Sequence, residues 1–420
     1  MNHFLYTLCI TSFVIPSLHA PQVTIDQPGL FLLDVTRAYS PTTNNDSIIN
    51  ITSSNVTLDF QGNSISQGSN NTQTGLDGVA INSGLTNITI KNAHIQNLSG
   101  VGIRINSACT KITIKDSLIE TCYSGGILLS GPGVSGIEVG NTRISTCTGV
   151  NGGPAYGIRS ISAAAANIHD CIINQNDAST TSSGYGISLE NSQLCVLSDN
   201  NIVSNGGSGI AAGISLTACN NVILQNLFVA NTICHDTTYA GTAYGFYINQ
   251  STNTLSLNCR SAANINSSSY CYGLAVQDGQ KNVFESFISG FNKATQQCAG
   301  ILLQNESQSI LNNSISRGNS TTVAGTAYGI LLTGTCDQCS LNTNQLLNNK
   351  GVTATFGILD QRNPSTSIIL GNLAFNNGTN FSVTFPFGVT LPVTTASLSV
   401  VPGTTNINAS NSYLNVNFTP

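Results

Sequence analysis

A glycine followed by aliphatic residues returns along this chain at intervals of about 28 residues, and a period of that size leaves few folds open. The copies read GVAI from 78, GIRI from 102, GILL from 126, YGIRSI from 156, YGISL from 185 and GISL from 213. They continue as YGFYI from 244, YGLAV from 272, GILL from 300, YGILL from 328 and FGIL from 356. Each anchor is followed by a second strip of the form aliphatic-x-aliphatic-x-Asn/Asp-x-x-aliphatic, as in ITIKNAHI from 88, ITIKDSLI from 112 and VILQNLF from 222. Within a strip the apolar residues alternate, which marks strands buried on one face, and no helical period is sustained.

Short strands separated by small polar residues, repeated in this way, predict an all-β chain: a single-stranded right-handed parallel β-helix of about 11–12 coils. Residues such as Ile103, Ile187 and Ile330 should stack into aliphatic columns inside it. The expected organisation is a leader over 1–20, an N-terminal cap and opening coil over 21–60, the helix proper over 61–379, and a C-terminal cap or tail over 380–420. Within that tail, Tyr413 to Phe418 alternates like one strand. Cys122, Cys147, Asn176, Asn205, Asn231, Asn319 and Asn349 fall at equivalent places after the second strip. They predict a stacked corner column in which amides pass hydrogen bonds from coil to coil and tolerate left-handed backbone.

Composition sets limits on function. Only 7% of residues are charged and the net charge is −5, with no Lys/Arg cluster, so nucleic acid is not an expected partner. The opening residues MNHFLYTLCITSFVIPSLHA read as a secretory leader, although no basic residue precedes the apolar core. The expected location is therefore secreted or extracytoplasmic, in the periplasm or at the cell surface, with no transmembrane span. Cysteines 122, 147, 171, 195 and 219 are spaced by 25, 24, 24 and 24 residues, near one repeat each, and read as small buried hydrophobes, some pairs open to oxidation. Cys336-Asp337-Gln338-Cys339 is the one pair at metal-ligand spacing and has no second pair, so neither a metal nor a cofactor is expected.

On the Gly-Ile-x-Leu anchors with the following Asn-x-x-Ile-x-Ile-x-Asn-x-x-Ile, over about residues 78–377, the chain resembles the bacterial right-handed parallel β-helix repeat branch of the pectin-lyase-like superfamily. Ser54 to Ile65 is similar to the opening coil of such proteins. The resemblance implies the fold and a prior for polysaccharide chemistry, since family enzymes act in a groove along the anchor strands. The fold also hosts adhesins and non-catalytic proteins.

On that face the outward anchor residues include Arg104, Leu128, Arg159, Ser188, Ser215, Tyr247, Ala275, Leu302, Leu331 and Leu359. Two positions on come Asn106, Ser130, Glu190, Thr217, Asn249, Gln277, Gln304 and Thr333, a nearly unbroken polar column suited to sugar hydroxyls. Arg159, Glu190, Tyr247, Asn249, Gln277 and Gln304 are the expected ligand-binding residues. Glu190 is the single acid read on this face, and Arg159 one coil below predicts an ion pair. Asp170 and Asp199, at equivalent turns beside His169, are with Glu190 the candidate catalytic carboxylates, although Asp or Asn at such turns is expected for backbone geometry alone. Tyr156, Tyr185, Tyr244, Tyr272 and Tyr328 lie two residues before an inward aliphatic, so simple alternation predicts them buried or corner-packed rather than an exposed stacking stripe. The scarcity of carboxylates favours an exported non-catalytic protein presenting a polar surface to a glycan or partner. The alternative is a polysaccharide lyase or glycoside hydrolase.

Overall fold

The computed structural model describes residues 12–15, 22–39, 46–68, 74–149, 153–178, 182–235, 241–267, 269–361, 368–383, 405–407 and 411–416. They form an all-β, right-handed parallel solenoid of about 12 turns. Three sheets run along the rod. A 15-stranded anchor sheet takes one strand from each coil, a 27-stranded strip sheet takes two, and a 6-stranded short sheet closes the middle coils. Every strand pairs in parallel with its counterpart one coil away, except at the C-terminal end.

The coil beginning at Gly184–Glu190 shows how the chain turns. Its corners are Asn191, Leu194, Asp199 and Ser204, with φ of 50°, 56°, 55° and 57°. The next coil repeats them at Ala218, Asn221, Asn226 and Asn231. Left-handed backbone costs a non-glycine residue energy, so stacking of neighbouring coils must supply it. The residue after each corner points inward: Ser192, Cys195, Asn200 and Asn205 are all buried.

This geometry corrects the expected amide column. Its members are Asn176, Asn205, Thr232, Asn264, Asn292, Asn319, Asn349 and Asn377, each one residue beyond the left-handed position. Asn231 is itself the left-handed corner, with φ 53°, and stays outside the column. Between amides the hydrogen bonds are short: Asn264 Nδ2 donates to Asn292 Oδ1 at 2.8 Å, and Asn292 Nδ2 to Asn319 Oδ1 at 2.7 Å. The cysteines are corrected in the same way. A step of 24 residues is shorter than the local coil, so Cys147, Cys171, Cys195 and Cys219 retreat one corner at a time rather than stacking.

The anchor glycines have a packing cause. A methyl group on Gly186 would sit 2.5 Å from the Gly213 carbonyl oxygen and closer still to Ile202 Cγ2. The same clash recurs between Gly157 and Ile173, Gly213 and Val229, and Gly245 and Ser261 Oγ. The anchor sheet and the second strip strand converge on one another here, and glycine is what lets them meet. One continuous interior results, in which Ile103, Ile187 and Ile330 are fully buried.

At the C-terminal end Asn411–Val416 pairs antiparallel with Ile368–Phe375, and Thr405–Ile407 with Thr379–Val383, covering a sheet edge that would otherwise stay open. The strand expected over Tyr413 to Phe418 therefore starts two residues earlier. At the other end Ser12–Ile15, inside the leader-like segment, pairs with Leu30–Leu33. No helix among the described residues is long and apolar enough to cross a membrane.

Candidate functional site

The outer face of the anchor sheet carries three parallel columns, set by strand register. The central one runs through Arg104, Leu128, Arg159, Ser188, Ser215, Tyr247, Ala275, Leu302, Leu331 and Leu359. Beside it run Ser130, Ile161, Glu190, Thr217, Asn249, Gln277, Gln304 and Thr333, the polar column expected from the repeats with one aliphatic interruption at Ile161. All of these but Ile161 are polar and all are half-buried, within reach of a ligand laid along the rod. Gln277 Nε2 donates to Gln304 Oε1 at 2.8 Å, so adjacent rungs are already oriented by each other.

The third column holds the tyrosines. Tyr156, Tyr185, Ala212, Tyr244, Tyr272, Ala299, Tyr328 and Phe356 pair in register. As expected, Tyr156, Tyr244, Tyr272 and Tyr328 are buried, but not in the interior. Tyr244, Tyr272 and Tyr328 cluster with the outward residues Ala275, Leu302, Leu331 and Leu359, and Tyr156 with Val101 and Leu128, both apart from the main core. Alternation misleads because the anchor glycine and the aliphatic after it both face inward, so the strand resets its parity there. Rings therefore lie on the outer face: Tyr244 and Tyr272 stack at 5.7 Å between centroids, as do Tyr328 and Phe356. Tyr185, Tyr247 and Phe356 keep part of their surface open.

Toward the N-terminal end of this face the ionisable groups gather. Arg159 and Glu190 form the expected ion pair in two-pronged geometry, Nε to Oε1 at 2.9 Å and Nη2 to Oε2 at 3.1 Å. Glu190 is not the single acid here, which corrects the sequence reading. Asp77, on the strand Asp77–Ile81, is buried, accepts from the Val101 N–H at 2.8 Å and pairs with Arg104. Asp77 directly precedes an anchor glycine, a position outside the Gly-aliphatic pattern of the anchors. Tyr156 stands between the two arginines. Burial pushes its phenol up to about 12 while Arg104 and Arg159 pull it back, so it remains a protonated donor at neutral pH. The Arg159 guanidinium lies 6.0 Å from the Tyr156 ring.

Asp170 and Asp199 are brought to successive rungs of another corner, far round the coil from this face. They share it with Asn92, Asp116, Asn141 and Asn226, all left-handed, while Asn372 sits one residue later, inside. Both carboxylates are exposed. Asp199 accepts from Asn226 Nδ2 at 3.0 Å and Asp170 from His169 Nδ1 at 2.9 Å. The hydrogen bond that His169 donates to Asp170, against a smaller opposing effect of burial, and a second contact to Glu138 raise the His169 pKa. This arrangement explains both aspartates as turn formers. Among the described residues no group of three or more His, Cys, Asp and Glu is arranged to hold a metal.

Residues 179–346 match the family described as right handed beta helix region. With the solenoid above, this match fits the fold: the chain is a right-handed parallel β-helix. No curated protein matches the chain. Among solved structures it is similar to the A-module of mannuronan C-5 epimerase AlgE4 of Azotobacter vinelandii, at 13% identity over 82% of this chain and 84% of that one, with a TM-score of 0.47. The periplasmic alginate epimerase AlgG is similar at 9% identity over 77% of each chain, TM-score 0.49. DFA-IIIase from Arthrobacter chlorophenolicus is similar at 8% identity over 75% of this chain and 84% of its own, TM-score 0.48.

Proposed function

We propose that this chain is a polysaccharide-active β-helix that holds a glycan strand along the outer face of its anchor sheet. One observation carries the reading: a column of half-buried amides and hydroxyls runs unbroken from Thr217 to Thr333, headed by the Glu190 carboxylate, beside partly open rings at Tyr185, Tyr247 and Phe356. A sugar offers an apolar ring face and a rim of hydroxyls, and these two columns complement both. Glu190, Tyr247, Asn249, Gln277 and Gln304 are the residues we assign to binding, with Arg159 at the N-terminal end.

The Asp77–Arg104 and Arg159–Glu190 pairs around Tyr156 favour catalysis over passive presentation. A glycosidase needs two carboxylates roughly 5–9.5 Å apart. Asp77 and Glu190 lie four coils apart, which at strand spacing is about 19 Å, so this face does not suit hydrolysis by a carboxylate pair. Two arginines with a protonated phenol between them suit a lyase-type reaction, in which cations neutralise an acidic sugar's carboxylate. The leader-like first twenty residues fit such a substrate met outside the cytoplasm. The non-catalytic reading, which rests on the scarcity of carboxylates, becomes one outcome of the test.

Uronate and neutral polysaccharides are offered to the purified chain and to Arg104→Ala, Arg159→Ala and Tyr247→Ala variants, with product formation and gel retardation both recorded. Expected are unsaturated products lost in the arginine variants and retardation weakened in Tyr247→Ala. Retardation without products would leave binding and remove catalysis; neither signal on any glycan would sink the proposal.

A further inference from the structure

All twelve described cysteines are buried thiols in the structure, yet they are not equivalent. In only two places do two of them occupy the same column on consecutive coils. Cys122 and Cys147 follow the left-handed corners Thr121 and Thr146, at the foot of the amide column. Cys271 and Cys298 are register partners in the anchor sheet, immediately before the Tyr272 and Ala299 rungs of the outer column. They share a small separate core with Cys234, Ala211, Ala243 and Ala294. Every other cysteine has a non-cysteine directly above and below it. Cys171, for example, is followed in its column by Asn200, and Cys195 by Val222.

We infer that Cys122–Cys147 and Cys271–Cys298 are disulfide sites, two vertical staples that tie consecutive coils, and that the remaining eight described cysteines stay thiols. Parallel strands lie about 4.8 Å apart, inside the roughly 4.4–6.8 Å range of Cα separations that a disulfide spans. Both members of each pair point into the same interior column, so no backbone movement is needed to bring the sulfurs together. The Cys122 thiol is held well above its ordinary range by its hydrogen bond with Cys147 and by burial, and that of Cys271 by burial and its hydrogen bond with Cys298. Thiolates are scarce once the coils have closed, so each bond forms as the coils stack.

The chemistry is thiol–disulfide exchange with a small-molecule or protein disulfide. One cysteine thiolate attacks the oxidant's disulfide and expels one oxidant thiolate. The second cysteine thiolate then attacks the mixed disulfide and expels the other. Two protein thiols are oxidised, one oxidant disulfide is reduced to two thiols, and the two protons are taken up by the oxidant's thiolates. Such an oxidant is abundant outside the reducing cytosol, so in the cell the modification rests on the export reading. The position of Cys271–Cys298 directly behind the tyrosine column would lock the register of two strands of the proposed glycan face.

The test does not depend on the chain's own leader. The full chain is refolded in a mixture of glutathione and glutathione disulfide, denatured, alkylated without reductant and mapped by peptide mass. In parallel, chain directed by a host leader into an oxidising compartment is alkylated and mapped in the same way. Expected in both are linked peptides carrying 122 with 147 and 271 with 298, and alkylated thiols at the other eight of the twelve described cysteines. Cys271→Ser should lose one linkage, keep the other, and leave Cys234 alkylated. Twelve free thiols in either preparation, or a different pairing, would overturn the assignment, whatever the glycan experiments report.

Discussion

Replacing an anchor glycine by alanine isolates the packing claim on which the solenoid depends. At Gly186 the added methyl would stand 2.5 Å from the Gly213 carbonyl oxygen, 3.0 Å from Asn205 Nδ2 and nearer still to Ile202 Cγ2. Comfortable carbon contacts lie near 3.5–4.0 Å, so at least one of two tightly paired strands must move by roughly an ångström. Overpacking a dense core by one methyl costs about 1–3 kcal/mol, and a backbone atom among the clashing neighbours points to the upper part of that range. Alanine's stiffer unfolded chain returns about 0.4–1 kcal/mol, because φ at Gly186 is not in the left-handed region. The net is a loss of about 2 kcal/mol, or a roughly 30-fold rise in local opening. Coils contact only their neighbours, so a global melting curve would average the effect away. Hydrogen exchange on peptides covering 184–217 reads it where it falls. Gly84→Ala is the comparison: at φ +78° with no atom within 4 Å of the new methyl, it carries backbone strain and no clash. Ile202→Ala in the Gly186→Ala background should cost less than the two single changes added together. Unchanged or slower exchange in Gly186→Ala, or strict additivity with Ile202→Ala, would refute the convergence of the two sheets as the reason for the repeat.

Three further outcomes follow from charges and amides inside the fold. Glu306 is fully buried, accepting from Gly279 N–H at 2.7 Å, Ser309 Oγ at 2.8 Å and Asn282 Nδ2 at 3.1 Å. Glu306→Ala strands three donors and should cost about 2–3 kcal/mol by denaturant titration, with a smaller loss for Glu306→Gln. Burial raises the Glu306 pKa above the ordinary 4.5, so the folded state holds this proton longer than the unfolded one. Stability from this group is therefore full below about pH 4.5 and declines as pH rises through the folded value; a slope unchanged in Glu306→Gln would remove that assignment. His169 has the same sign, since Asp170 raises its pKa from 6.5. Its stabilisation is complete below 6.5 and is lost as pH climbs past the folded value, so His169→Gln should flatten urea midpoints measured across that window.

The rod was legible in the sequence because its causes are local and repeated. Gly and the aliphatic after it recur wherever the two sheets meet, and the strip residues alternate wherever one face is buried. The ligand face was legible in part. Arg159, Glu190 and the amides from Asn249 to Gln304 stand where spacing put them, because register in a parallel stack is set by counting from the anchor. Asp77 escaped because it precedes its anchor glycine; the burial expected of Tyr156, Tyr244, Tyr272 and Tyr328 holds, but on the outer face, because counting by twos cannot see two successive inward residues. Asp170 and Asp199 share a column, as spacing implied, but only the coil's three-dimensional course reveals how far that corner lies from the anchor face.

The amide column shows the same limit and gives it a test. Counting from the second strip put Asn231 in that column, and the structure puts Thr232 there. The difference is one residue, and it breaks the ladder: Thr232 Oγ1 is buried without a partner, with Asn205 below it and Asn264 above. At Asn205, Asn292, Asn349 and Asn377 the Oδ1 accepts from both the backbone N–H and the Nδ2 of the rung below, as Asn349 Oδ1 does from Asn319 at 3.2 and 2.8 Å. Thr232→Asn would supply that acceptor to Asn205 and a donor to Asn264 Oδ1, joining two ladder segments into one. New buried hydrogen bonds are worth about 0.5–1.5 kcal/mol each and an orphaned hydroxyl disappears, so a gain of about 1–2 kcal/mol is expected. Slower exchange at the amides of residues 205, 232 and 264 would register it. Faster exchange there would mean that the threonine methyl fills space the amide cannot, and that packing rather than hydrogen bonding governs this corner.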